Sequence, residues 1–402
     1  MALVKSARLF AQRLQNVEES STMQVMIAAQ KLKSEGVEVV DLGAGEPDFN
    51  TPENIKEAGK RAIDANFTRY TPAVGVAPLR DAILRRYRED FGVERKRDEV
   101  IATVGGKHSI FNTLLALIDP GDDVIIPAPY WVTFPQVVHL CGGRPVIVET
   151  SPEQGFSITS ELIHKHMSDR TKLVILNSPC NPTGAVIAPG EFLKICQLAA
   201  EREIYVLSDE CYQVFLYDGL QPSTAAAVPE QLRRWVIVSG SLSKTYAMTG
   251  WRLGYTIGPS ELVSQMAKIQ GHETSNPTSI AQAAGIEALT GPQDSVREMI
   301  REYERRRNFL VPALNHIPGV RCFTPQGAFY VYPDIRAFLH EGLKTSDDFA
   351  GRLLSEAHVA VTPGSGFGMD GFIRISYAAA YTALEEAVRR LANFLRSLES
   401  KR

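Results

Sequence analysis

The chain has 402 residues, of which 44% are hydrophobic and 22% charged, a balance typical of a soluble globular protein of about two domains. Its 43 basic and 46 acidic side chains leave a net charge of -3, which argues against nucleic acid or an anionic membrane as the main partner. Five scattered cysteines without a CxxC pair argue against a disulfide framework and a structural zinc site, and no apolar run reaches the length of about 18 residues needed for a membrane span. We therefore expect a cytoplasmic protein.

The first 15 residues, MALVKSARLFAQRLQ, carry basic side chains but no acidic ones. This stretch lacks the apolar core and the small-residue cleavage site of a signal peptide. We interpret it as an amphipathic N-terminal helix or arm.

Short β-rich runs alternate with helical stretches from about residue 98 to 257, which predicts a mostly parallel sheet covered by helices on both faces. The predicted strands are 100–104, 124–126, 145–149, 173–176, 204–207, 235–238 and 253–257, with a helix at 108–118. Beyond residue 292 the pattern changes to helices at 293–315 and 382–398 and β-like runs at 329–332, 359–362 and 372–377. The sequence thus predicts an α/β protein with a large domain, 49–290, and a smaller α+β domain formed by 1–48 and 291–402.

Polar or aromatic clusters follow five of the predicted strands. In a parallel sheet, ligands bind outside the carboxyl ends of the strands. We therefore expect one site built from Gly105-Gly106-Lys107, Tyr130-Trp131, Asn177 to Asn181, Ser208-Asp209-Glu210 with Tyr212, and Ser239 to Lys244.

Each cluster alone has a plainer interpretation. The GGK turn offers backbone N–H groups to a phosphate but is also an ordinary tight turn. Trp131 could pack in the core, Asp209 could cap a helix, and Arg252 could lie on the surface. His164 and His166 could bind a metal, but positions two apart do not share a helix face.

Lys244 lies between two apolar runs in the segment SGSLSKTYAMTGWRLGY. A lysine among apolar or cationic neighbours loses proton affinity and becomes a nucleophilic amine, suited to a Schiff base. An amine, a phosphate cradle, an aromatic ring, a carboxylate and a phenol together match one cofactor, pyridoxal 5'-phosphate.

Eight segments in order along nearly the whole chain resemble fold-type I, class I aminotransferases, and within them the bacterial subgroup Ib aspartate aminotransferases. They are GAGEPDF, YTPAVGVAPLR, VGGKHSIFN, PYWVTFP, NSPCNPTGAV, SDECY, SLSKTYAMTGWRLGY and FIRISYA. The resemblance implies a homodimer with shared active sites. It also implies ping-pong transfer of an amino group from an L-amino acid, aspartate above all, to a 2-oxo acid such as 2-oxoglutarate.

The resemblance further implies a role for each matching residue near the cofactor ring. Lys244 would hold the cofactor through a Schiff base and then move the substrate's proton. Asp209 would pair with the protonated pyridine nitrogen. Tyr212 and Asn181 would hydrogen-bond the 3'-oxygen of the ring, and Trp131 would stack on it.

The remaining implied roles concern the cofactor phosphate and the substrate. The phosphate would be bound by the N-terminus of the helix at Gly105, Gly106 and Lys107, by Ser241, Ser243 and Arg252, and by Tyr70 of a second copy of the chain. Arg374, with the Gly45 N–H, would bind the substrate α-carboxylate; without the family, a buried structural salt bridge would be the preferred interpretation of Arg374.

The sequence does not decide which amino acid is the substrate. The subgroup pattern assigns the distal carboxylate to Lys107 with hydroxyls near Thr22, and residues 271–279 (GHETSNPTS) contain no arginine that could replace it. Glu18 and Glu19 occupy a stretch where relatives often carry a basic residue, which weakens prephenate and mildly weakens aspartate. A prephenate or broad, aromatic amino-acid aminotransferase, a pyridoxal-phosphate-dependent lyase and a non-catalytic regulator remain alternatives.

Overall fold

The computed structural model describes residues 11–19 and 21–399, without the side chains of Gln12, Ser21, Thr22 and Glu399. The arm predicted for residues 1–15 therefore lies mostly outside the described residues, and so does the Thr22 hydroxyl. The part of the arm that is described contains one 3-10 turn, Gln12–Leu14.

The described residues form strands and helices that alternate along the chain. The strands are β1 Val40–Asp41, β2 Val100–Thr103, β3 Asp123–Ala128, β4 Arg144–Glu149, β5 Thr171–Asn177, β6 Tyr205–Asp209, β7 Val236–Ser241, β8 Gly254–Ile257, β9 Tyr330–Val331, β10 Val359–Ala360, β11 Thr362–Pro363 and β12 Ile373–Ser376. The helices are α1 Ser21–Ser34, α2 Glu53–Asp64, α3 Ala77–Phe91, α4 Gly106–Leu117, α5 Thr133–Leu140, α6 Ser160–His166, α7 Pro189–Glu201, α8 Leu242–Thr245, α9 Ser260–Glu273, α10 Ser279–Thr290, α11 Asp294–Asn315, α12 Ser346–Ala357 and α13 Tyr381–Glu399.

A seven-stranded sheet in the order β2-β8-β7-β6-β5-β3-β4 forms the centre of the fold. Its strands are parallel except β8, which runs antiparallel to both of its neighbours, β2 and β7. Successive residues along each strand are buried on opposite faces of the sheet. Helices α3, α7 and α10 cover one face, and helices α4, α5 and α9 cover the other. The prediction of a mostly parallel sheet covered on both faces is confirmed, because strands buried on both sides read as continuous apolar runs.

The C-terminal part of the chain builds smaller sheets around an aromatic core. Strands β11, β12 and β9 form an antiparallel sheet, and β1 pairs in parallel with β10. The core includes Phe329, Tyr330, Phe349 and Tyr377, against α11, α12 and α13. The β-like run predicted at 359–362 is divided between two strands: the chain passes from one sheet to the next at Val361, so that β10 pairs with β1 and β11 pairs with β12.

Two features are absent from the described residues, a membrane-spanning helix and a metal-binding cluster. None of the helices in 21–399 is both long and apolar enough to cross a membrane. Across the described part of the chain no three His, Cys, Asp or Glu side chains gather as metal ligands, and His166 instead hydrogen-bonds the Leu162 carbonyl at 2.9 Å.

Candidate active site

The carboxyl ends of β2, β3, β5, β6 and β7 lie at one edge of the large sheet, and the segments that follow them surround a cavity of about 380 Å³. That volume suits a small cofactor with a substrate. Twelve of the site residues expected from the sequence line the cavity: Gly45, Gly106, Lys107, Trp131, Asn181, Asp209, Tyr212, Ser241, Ser243, Lys244, Arg252 and Arg374.

Lys244 belongs to α8, one helical turn that begins directly after β7. Ser241 caps this turn, its Oγ accepting a hydrogen bond from the Ser243 N–H at 3.1 Å. The Lys244 Nζ donates a hydrogen bond to the carbonyl of Gly45. Burial lowers the pKa of the Lys244 amine, and the positive charges of Arg374 and Arg252 lower it further. A lysine with a lowered pKa is the nucleophile that a Schiff base requires.

Asp209 ends strand β6 and is 6% exposed. Burial raises the pKa of its carboxyl from 3.8 to about 7, although the Cys211 N–H donates to its Oδ1 at 3.1 Å and the nearby Lys244 charge opposes the shift. Within the described residues no cation lies within ion-pair distance of Asp209. The protonated nitrogen of a pyridine ring would supply the missing positive charge.

We expect Asp209→Asn to stabilise the cofactor-free protein as the pH rises. An aspartate has a pKa near 3.8 when unfolded and here about 7 when folded, so its contribution to stability is fully present below pH 3.8 and is lost as the pH rises through 7. Asparagine has no such loss, so at pH 8 the free energy of unfolding of the variant should exceed that of the wild type by on the order of 4 kcal/mol, and by clearly less at pH 5. Urea unfolding at several pH values measures this difference, and a difference independent of pH would contradict the prediction.

Tyr212 and Asn181 face the same cavity and are both buried. The Tyr212 and Tyr330 hydroxyls lie 2.8 Å apart, and burial raises the pKa of Tyr212, so its phenol keeps its proton and can donate. Asn181 accepts a hydrogen bond from Arg374 Nη1 at 3.1 Å through its Oδ1. Its backbone N–H donates to Asn177 Oδ1 at 2.8 Å. Both side chains thus offer neutral donors to a phenolate-type oxygen.

Trp131 follows β3 and is half-buried beside the cavity. Phe134 packs edge-on against its ring, with the ring centroids 5.5 Å apart. The Lys107 Nζ lies 5.1 Å from the Trp131 centroid, and burial and the charge of Arg252 lower the pKa of that lysine. The arrangement provides an aromatic surface next to a cation at the cavity mouth.

The N-terminus of α4 and Arg252 form a cradle for an anion. Gly105 precedes α4 with a φ of 82°, and a Cβ there would lie 2.6 Å from Arg252 Nη2. Arg252 has a φ of 55°, a left-handed conformation that costs a non-glycine residue about 1–3 kcal/mol and is found preferentially at functional sites. Helix N–H groups, a guanidinium and the hydroxyls of Ser241 and Ser243 are the donors that a phosphate requires. These residues fit the phosphate of pyridoxal 5'-phosphate.

Arg374, on β12, is 2% exposed and is bonded only to neutral acceptors. Its Nη2 donates to the Gly43 carbonyl at 2.7 Å and to Thr362 Oγ1 at 3.2 Å, while its Nε has no partner in the described part of the protein. The guanidinium carbon lies 4.6 Å from the ring centroid of Tyr330. Arg374 therefore forms no salt bridge with any described residue. A buried cation without a counterion is suited to bind an anionic ligand.

Two expected site residues lie outside the cavity lining. Gly105 lies behind Gly106, where its lack of a side chain makes room for Arg252. Tyr70 is 88% exposed on a loop whose next residue, Thr71, donates its N–H to Asn276 Oδ1 at 3.3 Å. Tyr330 is a cavity residue that was not predicted. The period of two along 329–332 puts Tyr330 and Tyr332 on one face, but the pattern does not reveal that this face meets Tyr212.

Comparison with known proteins agrees with this geometry. Residues 37–393 match the model of the family Aminotransferase class I and II. The chain is 43% identical over 389 residues to the aspartate aminotransferase of Bacillus sp. (strain YM-2), covering 96% of this chain and 99% of that one. It is also 43% identical over 392 residues to the aspartate/prephenate aminotransferase of Cereibacter sphaeroides, covering 96% and 98%.

Solved structures give the same result. The aspartate aminotransferase from Rhizobium meliloti superposes with a TM-score of 0.92 at 39% identity, over 96% of this chain and 98% of that one. The aspartate aminotransferase from Thermus thermophilus with maleate superposes with a TM-score of 0.90 at 40% identity, over 96% and 99%.

Fold and cavity together define an enzyme of fold type I that uses pyridoxal 5'-phosphate. The chain belongs to the class I and II aminotransferase family. The predictions of this fold, of this cofactor and of aminotransferase activity are confirmed.

Proposed function

We propose that the enzyme transfers the amino group of L-aspartate to 2-oxoglutarate by a ping-pong mechanism. The observation that carries this proposal is the pair of cations in the cavity, the buried Arg374 without a counterion and Lys107 beside Trp131 at the mouth. Two cations suit the two carboxylates of a dicarboxylic amino acid. Support also comes from the relatives named aspartate aminotransferase and from the Thermus thermophilus relative, whose structure contains maleate, a dicarboxylate.

In this proposal the substrate is held at both of its ends. Arg374 and the Gly45 N–H bind the α-carboxylate, and Lys107 binds the distal carboxylate. Pyridoxal 5'-phosphate, when bound, acts as an electron sink that makes the α-proton acidic. Lys244 accepts that proton from Cα and returns it as a general acid.

The other site residues orient the cofactor. Asp209 keeps the pyridine nitrogen protonated, because a buried carboxylate and a cation stabilise each other. Tyr212 and Asn181 donate hydrogen bonds to the 3'-oxygen, and Trp131 stacks on the ring. The phosphate is bound by the Gly105-Gly106-Lys107 turn, Ser241, Ser243 and Arg252.

A broader donor range is the second candidate. An outer chamber of about 580 Å³ shares Lys107, Val132, Thr133 and Arg252 with the inner cavity and has apolar walls that include Phe111 and Leu140. Such walls suit a large neutral or aromatic side chain. Glu18 and Glu19 also line this chamber and would repel a further carboxylate, which weighs against prephenate.

The decisive experiment combines a half-reaction with a donor panel. Adding aspartate to the purified, cofactor-loaded enzyme should change the visible absorbance of the cofactor, and 2-oxoglutarate should restore it. With 2-oxoglutarate as acceptor, kcat/KM for aspartate should exceed that for alanine and phenylalanine. With aspartate as donor, kcat/KM for 2-oxoglutarate should exceed that for prephenate, which is itself a 2-oxo acid. A preference for phenylalanine would establish the second candidate. A lyase would release product without the 2-oxo acid, and a regulator would not turn over.

Lys107→Ala tests recognition of the distal carboxylate. Losing one charged hydrogen bond should raise KM for aspartate about 10- to 100-fold, because such a bond contributes about 1.5–3 kcal/mol. KM for alanine, which has no distal carboxylate, should change little. Steady-state kinetics with both donors measures the split, and equal effects on the two would remove Lys107 from this role.

We propose that two copies of the chain share their sites, with Tyr70 of one copy reaching the phosphate held by the other. Tyr70 supports this because it is 88% exposed and lies outside the cavity of its own chain. Sedimentation velocity should give twice the chain mass of 44.3 kDa. A monomer with full activity would contradict the shared site.

We further propose a cytoplasmic enzyme with a large domain, 49–290, and a small domain, 1–48 with 291–402. The hydrophobic cluster around α11, α12 and α13 supports this division, as does the burial of Val40 of β1 in that cluster. Tyr212, Phe215 and Tyr217 of the large domain join this cluster where the two domains meet. The clusters on the two faces of the large sheet are distinct from it.

A further inference from the structure

Glu210 is a buried carboxylate that the proposed mechanism does not use. It follows Asp209 directly and is 6% exposed. Asp209 lines the cofactor cavity, whereas Glu210 lines a different cavity of about 490 Å³. The chain thus places two adjacent carboxylates in two separate cavities.

Four donors bind the Glu210 carboxylate. The Ala225 N–H and the Ser208 hydroxyl donate to Oε1, at 2.6 and 3.2 Å. The side chains of Gln213 and Thr224 donate to Oε2, at 2.7 and 2.8 Å. Each oxygen therefore accepts two hydrogen bonds, a pattern that favours the ionised carboxylate. Burial raises the pKa of Glu210 to about 7, and the bonds from Ala225, Thr224 and Ser208 oppose that shift.

These donors come from both sides of the turn that carries the cofactor-facing residues. Ser208 precedes Asp209 on β6, and Gln213 follows Tyr212. Thr224 and Ala225 belong to a separate segment, to which Gln213 is also bonded through the Ser223 carbonyl at 3.0 Å. The backbone of the strand end is held independently, by Glu210 N–H to the Ser239 carbonyl at 3.0 Å. Beyond that bond the chain leaves the sheet, and the Glu210 carboxylate connects the turn to the segment of Thr224 and Ala225 through hydrogen bonds.

We propose that Glu210 is a positioning residue, whose carboxylate fixes the turn of residues 209–213 and thereby sets Asp209 and Tyr212 against the pyridine ring. The inference rests on the cofactor contacts given to Asp209 and Tyr212 in the proposed function. It does not depend on which amino acid is the donor.

Glu210→Gln tests the proposal in the full-length protein. The amide has the same shape, but its NH2 group meets two donors instead of accepting from them. The dissociation constant for pyridoxal 5'-phosphate should rise about 10-fold or more, as for other groups that orient a ligand's direct contacts. The pH at which the bound cofactor changes its visible absorbance should also shift, and kcat should fall more than KM rises.

Asp123→Asn is the matched control. Asp123 is a 1% exposed carboxylate at the start of β3, at the opposite end of the sheet, bonded to Arg144 at 2.7 Å and to the Ser168 hydroxyl at 2.9 Å. Its loss should lower the thermal unfolding temperature of the cofactor-free protein as Glu210→Gln does, yet leave cofactor affinity and the absorbance titration within twofold of the wild type. Equal cofactor affinity in the two variants would overturn the proposal.

Thr224→Val serves as a second variant if Glu210→Gln does not fold. It removes one donor to Oε2 and should weaken cofactor binding about threefold; unchanged binding would overturn the proposal as well. A wild type that binds the cofactor but does not use aspartate would refute the proposed substrate alone, because cofactor affinity is measured without substrate.

Discussion

Lys244→Ala should abolish amino transfer while the fold survives. Lys244 is placed to accept and return the α-proton, and loss of a general acid–base of this kind lowers turnover by about 10⁴-fold. Alanine keeps the helical turn of α8, and the variant loses one hydrogen bond, to the Gly45 carbonyl. Because the buried amine is desolvated, the cofactor-free variant should unfold at the same temperature as the wild type or at a higher one.

Single-turnover absorbance with aspartate measures the loss, and calorimetry checks the fold. Lys268→Ala is the control, since Lys268 lies on α9 and its ammonium donates to Gln265 at 3.0 Å on the exposed surface. It should keep wild-type turnover. Near-normal transamination by Lys244→Ala would refute the proposed mechanism.

Arg374→Ala should lower kcat/KM for every amino donor about 10³-fold. Truncating one partner of a buried charge pair costs about 2–5 kcal/mol, and each 1.4 kcal/mol corresponds to about tenfold. Aspartate and alanine should suffer alike, because both carry the α-carboxylate that Arg374 is proposed to bind. Lys107→Ala should by contrast raise KM for aspartate much more than KM for alanine. Arg374→Lys should recover only part of the loss, since lysine lacks the planar fork of donors.

Arg307→Lys is the matched control for these variants. Arg307, on α11, is 2% exposed like Arg374. Unlike Arg374, it is paired with Asp218 at 2.7 Å and does not line the cavity. Its replacement should reduce stability and leave kcat/KM within a fewfold of the wild type. A loss in Arg374→Ala confined to aspartate would show that this arginine binds the distal carboxylate instead.

The sequence predicts the large sheet and much of the cavity because local signals were sufficient. Apolar runs mark strands buried on both faces, and polar residues that directly follow them, such as Asp209 and Lys244, must lie at the ligand edge. Arg374 became a site residue only through resemblance to a family. Its partner Gly43 lies 331 positions away in the chain, and no periodic pattern reports a contact of that range.

Tyr330 and the change of sheet at Val361 depend on tertiary pairing, which local sequence patterns do not report. Tyr330 meets Tyr212 across 118 positions, and each alone reads as a core aromatic. The change of sheet at Val361 likewise depends on strand pairing, because β10 pairs with β1 and β11 pairs with β12. Three apolar residues followed by Thr362 predict extended backbone but not a change of sheet.

The antiparallel β8 has a consequence for how the site can change in evolution. Since β8 returns beside β7 in the opposite direction, the chain between them stays at one edge of the sheet, and a parallel β8 would need a crossover to the opposite edge. Ser241, Ser243, Lys244 and Arg252 therefore fall within twelve consecutive residues. An insertion or deletion in this segment would displace both the reactive amine and the Arg252 side of the anion cradle, so we expect its length to be invariant among active relatives even where its residues differ.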